Sequence, residues 1–107
     1  MSTDRLDELA RMLVEEPGDL FLRYAIALER KRIGDMDQAI ADLGSILTDD
    51  AKYIPAYYQL ALLKADLGHL DEARTICEAG ALQCIVTGDR KARVELQQLG
   101  ASLNEDE

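Results

Sequence analysis

The sequence is poor in aromatic side chains, proline and histidine. Its 107 residues include no Trp, one Phe, two Pro and one His, and aromatic residues make up 5%. Because β-sandwiches rely on aromatic and β-branched residues, this composition favours an all-α fold. With 48% hydrophobic and 31% charged residues, the chain has enough apolar side chains for one folded domain and is not a disordered tail.

Basic residues are scarce as well. Twelve Lys and Arg stand against 21 Asp and Glu, which gives a formal net charge of −9. Such a surface repels phosphate backbones and anionic lipids, so no nucleic-acid or membrane role is expected. No signal peptide and no run of about 20 apolar residues is present, so a cytoplasmic location is expected. An excess of carboxylates is also compatible with adaptation to high salt.

Residues suited to catalysis or metal binding are few. The one histidine, His69, falls in a predicted turn, and no Ser or Cys has an identifiable His and acid partner. Cys77 and Cys84 are seven residues apart in one predicted helix, about 10 Å between Cα atoms, which is too far for a disulfide. No zinc, calcium or phosphate-loop spacing occurs. We therefore expect a non-enzymatic protein without metal or cofactor.

An internal repeat organises the chain. The hexapeptide at 34–39 returns at 68–73, a period of 34 residues. Laying 20–53 over 54–87 without gaps gives six identities, all between positions 24 and 39 of the first unit. They are Tyr24/Tyr58, Ala27/Ala61, Leu28/Leu62, Gly34/Gly68, Asp37/Asp71 and Ala39/Ala73. Chance similarity would be scattered, so the two units are predicted to share one structure.

The apolar periodicity and the glycine positions predict six helices. Their ranges are about 4–16, 19–33, 36–48, 54–67, 70–86 and 89–103. Short linkers join them as antiparallel hairpins. We expect one domain: an N-terminal capping helix at 4–16, repeats at 20–53 and 54–87, a C-terminal capping helix at 89–103 and an acidic tail at 104–107.

A 34-residue helix–turn–helix unit with small residues at these positions resembles the tetratricopeptide repeat. The matching residues of the first unit are Ala27, Gly34 and Ala39, and those of the second are Ala61, Gly68 and Ala73. Short free-standing bacterial chains of the family look similar over most of the length. The resemblance implies an α-α superhelix that serves as a protein-interaction scaffold.

In the family, the second, fifth and ninth positions of each unit face an inner groove. Here they are Phe21, Tyr24 and Leu28, then Pro55, Tyr58 and Leu62, then Asp89, Ala92 and Leu96. The resemblance thus implies a peptide-binding or helix-binding groove made by Phe21, Tyr24, Leu28, Tyr58, Leu62 and Leu96. A basic rim of Lys31, Arg32 and Arg93 would border it. The alternatives are that these side chains pack helix on helix, or that a second copy covers them in a homodimer.

One known use of the family is not supported. Chaperone-binding members resemble one another in a carboxylate clamp of Lys, Asn and Arg, and the corresponding positions here are Tyr24, Leu28, Gln59, Asp89 and Arg93. Only Arg93 fits, so a receptor for chaperone tails is not expected.

Overall fold

The computed structural model describes residues 4–104, which form six α-helices and no strand. The helices are α1 (Asp4–Glu15), α2 (Leu20–Arg32), α3 (Met36–Asp49), α4 (Ile54–Asp66), α5 (Leu70–Thr87) and α6 (Arg90–Asn104). Every bound lies within one residue of the prediction. Asn104, assigned from the sequence to an acidic tail, is the last residue of α6, and 105–107 lie outside the described residues.

Glycine and aspartate define the helix ends. Gly34, Gly68 and Gly88 have φ angles of 92°, 84° and 78°, a left-handed conformation that side chains with a Cβ rarely adopt. At the other ends, a carboxylate of Asp19 accepts from the Leu22 amide at 3.1 Å, and one of Asp89 accepts from the Ala92 amide at 3.1 Å. Such caps satisfy amides that the helix itself leaves unpaired.

Successive helices pack as antiparallel neighbours around a continuous apolar interior. One cluster joins α2, α3 and α4, a second joins α4, α5 and α6, and a third joins α1 to α2. The four alanines shared by the units, Ala27, Ala39, Ala61 and Ala73, are all fully buried. Small side chains at these positions let the two helices of a hairpin approach each other closely.

The last helix does not keep the 34-residue period. α2 begins at Leu20 and α4 at Ile54, 34 residues apart, whereas α6 begins at Arg90, 36 residues after α4. The extra length lies in α5, which has 18 residues where α3 has 14. Each helical residue turns the chain by about 100°, so a two-residue displacement rotates every α6 side chain by about 200° from its expected direction.

Candidate functional site

Five of the six predicted groove residues lie on α2 and α4. Phe21 is 66% exposed, while Tyr24, Leu28, Tyr58 and Leu62 are half-buried. These five residues are called the inner face below. All of them leave part of an apolar side chain in contact with water, which is what a surface for an apolar partner requires.

A polar network ties the two helices together across the inner face. The Lys31 ammonium donates to the Gln59 carbonyl at 3.0 Å, and the Gln59 side chain also hydrogen-bonds the Tyr24 hydroxyl. The Tyr24 ring lies 5.6 Å from that of Tyr53, centroid to centroid. Burial raises the pKa of Tyr24 above 10.0, partly offset by its bond to Gln59, so the phenol keeps its proton at neutral pH.

The sixth predicted residue, Leu96, is not on the inner face. It is 1% exposed and packs in the α4–α5–α6 cluster, so no ligand can reach it there. The 36-residue spacing explains the difference, because it aligns Leu96 with the buried Leu60 instead of Leu62. The position that Tyr58 holds in α4 is taken in α6 by Val94, which is 50% exposed.

The other third-unit positions shift in the same way. Asp89 precedes α6 and caps it, and Ala92 packs against the apolar cluster. A shallow cleft of about 550 Å³ lies between Tyr58 and the α6 residues Glu95, Gln98, Leu99 and Ser102. Glu95 is 36 residues from Gln59, so Tyr58 faces α6 in the same way that Tyr24 faces α4.

The structure does not assemble the predicted basic rim. The Lys31 ammonium bonds Gln59, and the Arg32 guanidinium pairs with Glu29 at 2.5 Å. Arg93 lines a different surface, a groove between α5 and α6. The corrected spacing also places Lys91 and Glu95 at the third-unit clamp positions, so one charge has the right sign and the other does not. The clamp is still incomplete.

The remaining reactive side chains are accounted for locally. Cys77 and Cys84 are free thiols, 3% and 1% exposed, and burial raises the pKa of both. His69 precedes α5 and is 53% exposed, 3.9 Å from a carboxylate of Glu72. Within residues 4–104 no group of three or more His, Cys, Asp or Glu could hold a metal ion. No helix of the same stretch combines the length and apolarity that a membrane span requires.

Sequence reasoning missed Gln59, Tyr53 and Val94 as parts of this face. Gln59 follows Tyr58 directly, but one residue along a helix points about 100° away, so its position beneath Tyr24 depends on how α2 and α4 cross. Val94 could have been found by aligning the starts of the helices rather than the period of the repeat.

The comparisons with known proteins agree with this geometry. The family model described as "Tetratricopeptide repeat" matches residues 34–83. The comparison with curated proteins gives no match.

Solved structures resemble the chain over most of its length. A tetratricopeptide repeat domain protein from Salinibacter ruber is 28% identical, with a TM-score of 0.82 over 85% of this chain and 92% of that one. A protein from Bordetella parapertussis is 24% identical, with a TM-score of 0.82 over 94% and 88%. The TPR2B-domain:pHsp70 complex of yeast Sti1 is 17% identical, with a TM-score of 0.85 over 95% and 82%. The repeat, the six packed helices and these likenesses together identify the chain as a member of the tetratricopeptide repeat family.

Proposed function

We propose that this chain binds a segment of a partner protein, in the cytoplasm, through the inner face. Tetratricopeptide repeat domains generally act as protein–protein interaction modules, and the Sti1 likeness is to a domain in complex with pHsp70. The observation that carries the proposal is Phe21. A phenylalanine that is 66% exposed, beside four half-buried apolar side chains, has no role in the core.

The chemistry of the inner face indicates an apolar segment with hydrogen-bonding capacity. Phe21, Leu28 and Leu62 offer apolar contact, and the Tyr hydroxyls and Gln98 can bond a peptide backbone. Each fully buried apolar side chain contributes about 1.5–3 kcal/mol, and association costs at least about 4 kcal/mol. So few partly buried anchors support micromolar affinity.

Paired substitutions test the proposal. Affinity capture with wild-type chain, Phe21→Ser and the matched control Val86→Ser, whose valine is 64% exposed on α5, should show partners lost only with Phe21→Ser. The purified partner should then bind the Phe21→Ser chain at least tenfold more weakly in calorimetry, since a buried Phe contributes at least about 1.5 kcal/mol. Equal binding to both variants would contradict an inner-face site.

Self-association through the same face is the alternative, with the chain acting as a structural subunit. Sedimentation equilibrium at micromolar concentration distinguishes the two functions. A dimer that Phe21→Ser dissociates supports the alternative, whereas a monomer at these concentrations excludes it.

A further inference from the structure

A second groove, of about 850 Å³, lies between α5 and α6 and is separate from the inner face. Its floor is apolar and includes Ala81, Leu96 and Gly100, and its edge carries Leu82 and Ile85, which are 65% and 57% exposed. This surface is called the terminal groove. Within residues 4–104 no helix covers it.

The chain contains a covered version of the same groove. Between α1 and α2 lies a depression lined by Leu6, Asp7, Ala10, Leu13, Val14, Arg23, Ile26 and Arg30. Advancing the α1 residues by two periods of 34, and the α2 residues by 70, gives Arg74, Thr75, Glu78, Ala81, Leu82, Arg93, Leu96 and Gly100. All eight line the terminal groove. The two grooves are therefore equivalent surfaces of the repeat.

In the first groove, α3 is the element that docks. Asp42 and Ser45 of α3 close its side, and Arg23 of α2 binds the last turn of α3. The Arg23 guanidinium donates to Asp49 at 2.7 Å and to Ser45 at 2.9 Å. The arginine thus holds a carboxylate at the C-terminal end of the docked helix.

Arg93 is the counterpart of Arg23 in the terminal groove. It lines the groove at the start of α6, and no ion pair of Arg93 occurs within the described stretch 4–104. The other docking arginine, Arg30, which pairs with Asp42 at 2.5 Å, has Gly100 as its counterpart. The terminal groove therefore keeps the acid-binding group for the end of a helix and replaces the middle one with open apolar space.

We propose that the terminal groove binds an amphipathic helix of a partner protein, antiparallel to α6 as α3 is to α2. The apolar stripe of this helix covers Leu82, Ala81 and Gly100, and a carboxylate in its last turn pairs with Arg93. A second copy of this chain does not have this chemistry. The free side of α1 carries Arg5, Glu8, Met12 and Glu15, three of them charged, and α3 is already packed in its own chain.

The chain's own α3 supplies a defined probe. A labelled peptide with the sequence of residues 35–50 should bind the full chain saturably in fluorescence anisotropy. Leu82→Asp should weaken binding at least tenfold, because it places a charge in the apolar contact. Arg93→Glu should weaken it about tenfold, and a peptide carrying Asp49→Lys should restore binding to that variant.

Matched controls keep the result specific. Val86→Asp introduces the same charge on α5 outside the groove lining and should leave peptide binding within twofold of wild type. Circular dichroism should show native helicity for every variant, since Leu82, Val86 and Arg93 are exposed.

Four outcomes would overturn the proposal. They are an absence of saturable binding, equal loss with Val86→Asp, failure of the charge exchange at Arg93, and dependence on Arg23, which would mean that the peptide displaces α3. Self-association in sedimentation equilibrium that Leu82→Asp abolishes would assign the groove to a second copy instead.

Discussion

At the scale of single residues, two positions that differ between the units show how the core is specialised. Glu29 is 7% exposed and pairs with Arg32, while its counterpart 34 residues later is Leu63, 1% exposed. A buried charge is retained only when it is paired, because its desolvation cost is otherwise too large. The first unit therefore needs Arg32 for its core, which is a reason not to count Arg32 among binding residues.

Two glycines of neighbouring B-type positions have opposite packing, and their substitution separates packing from helix propensity. A Cβ on Gly80 would lie 2.7 Å from the Tyr57 Cβ and 2.9 Å from the Leu96 Cδ1, whereas one on Gly44 meets nothing within 4 Å. We expect Gly80→Ala to lower the free energy of unfolding by about 1–3 kcal/mol through overpacking. Gly44→Ala should raise it by about 0.5–1 kcal/mol, because Ala favours the helix.

Urea denaturation of both variants measures these values. The Gly44→Ala chain is the internal control, since the chemical change is identical. Stabilisation by both substitutions would mean that α4, α5 and α6 do not approach closely at Gly80.

At the scale of helices, ion pairs connect elements that the apolar clusters have already placed together. Arg23 and Arg30 link α2 to α3, and Lys64 links α4 to Glu72 of α5 at 2.8 Å. Lys64 and Arg30 are equivalent across the units, but their partners differ, Asp42 in one and Glu72 in the other. The repeat thus conserves the cation, and the tertiary structure selects the acid.

The Lys64–Glu72 contact makes a pH-dependent prediction. A hydrogen bond from Lys64, its positive charge and nearby His69 lower the pKa of Glu72 below 4.5. Because the folded-state pKa is the lower one, the contact stabilises the fold above the unfolded value and is lost as pH falls through the folded value. NMR titration should give a Glu72 midpoint below 4.5, and Lys64→Ala should move it upward. Because Glu72 is exposed, the effect on stability should be small.

At the scale of the whole molecule, the net charge of −9 is the dominant feature. Exposed carboxylates repel one another, and this repulsion destabilises a compact chain until salt screens it. The same charge favours basic or neutral partners and disfavours a second copy.

Salt dependence tests this directly. Raising KCl from about 0.05 to about 0.5 M should increase the melting temperature by several degrees, measured by circular dichroism. A Glu8→Gln, Glu15→Gln chain has a net charge of −7 and should respond less. An unchanged melting temperature would show that the acidic surface does not limit stability, and would remove the support for adaptation to high salt.

The sequence alone determined the elements of this protein. Helix bounds, the glycine turns and the buried alanines follow from periodicity, capping and side-chain size, which act within a few residues of the chain. The same local rules correctly indicated that Cys77 and Cys84 are buried free thiols. Four of the predicted groove residues could be placed because they recur with an exact period.

Only the tertiary structure decided which α6 residues reach a surface. Because a helix face changes by about 100° per residue, the two additional residues before α6 moved Leu96 into the core and brought Val94 outward. Arg93 changed its meaning for the same reason, from the rim of the inner face to the terminal groove. Local sequence cannot resolve such a rotation, because the docking angle of α6 depends on packing against α4 and α5 together.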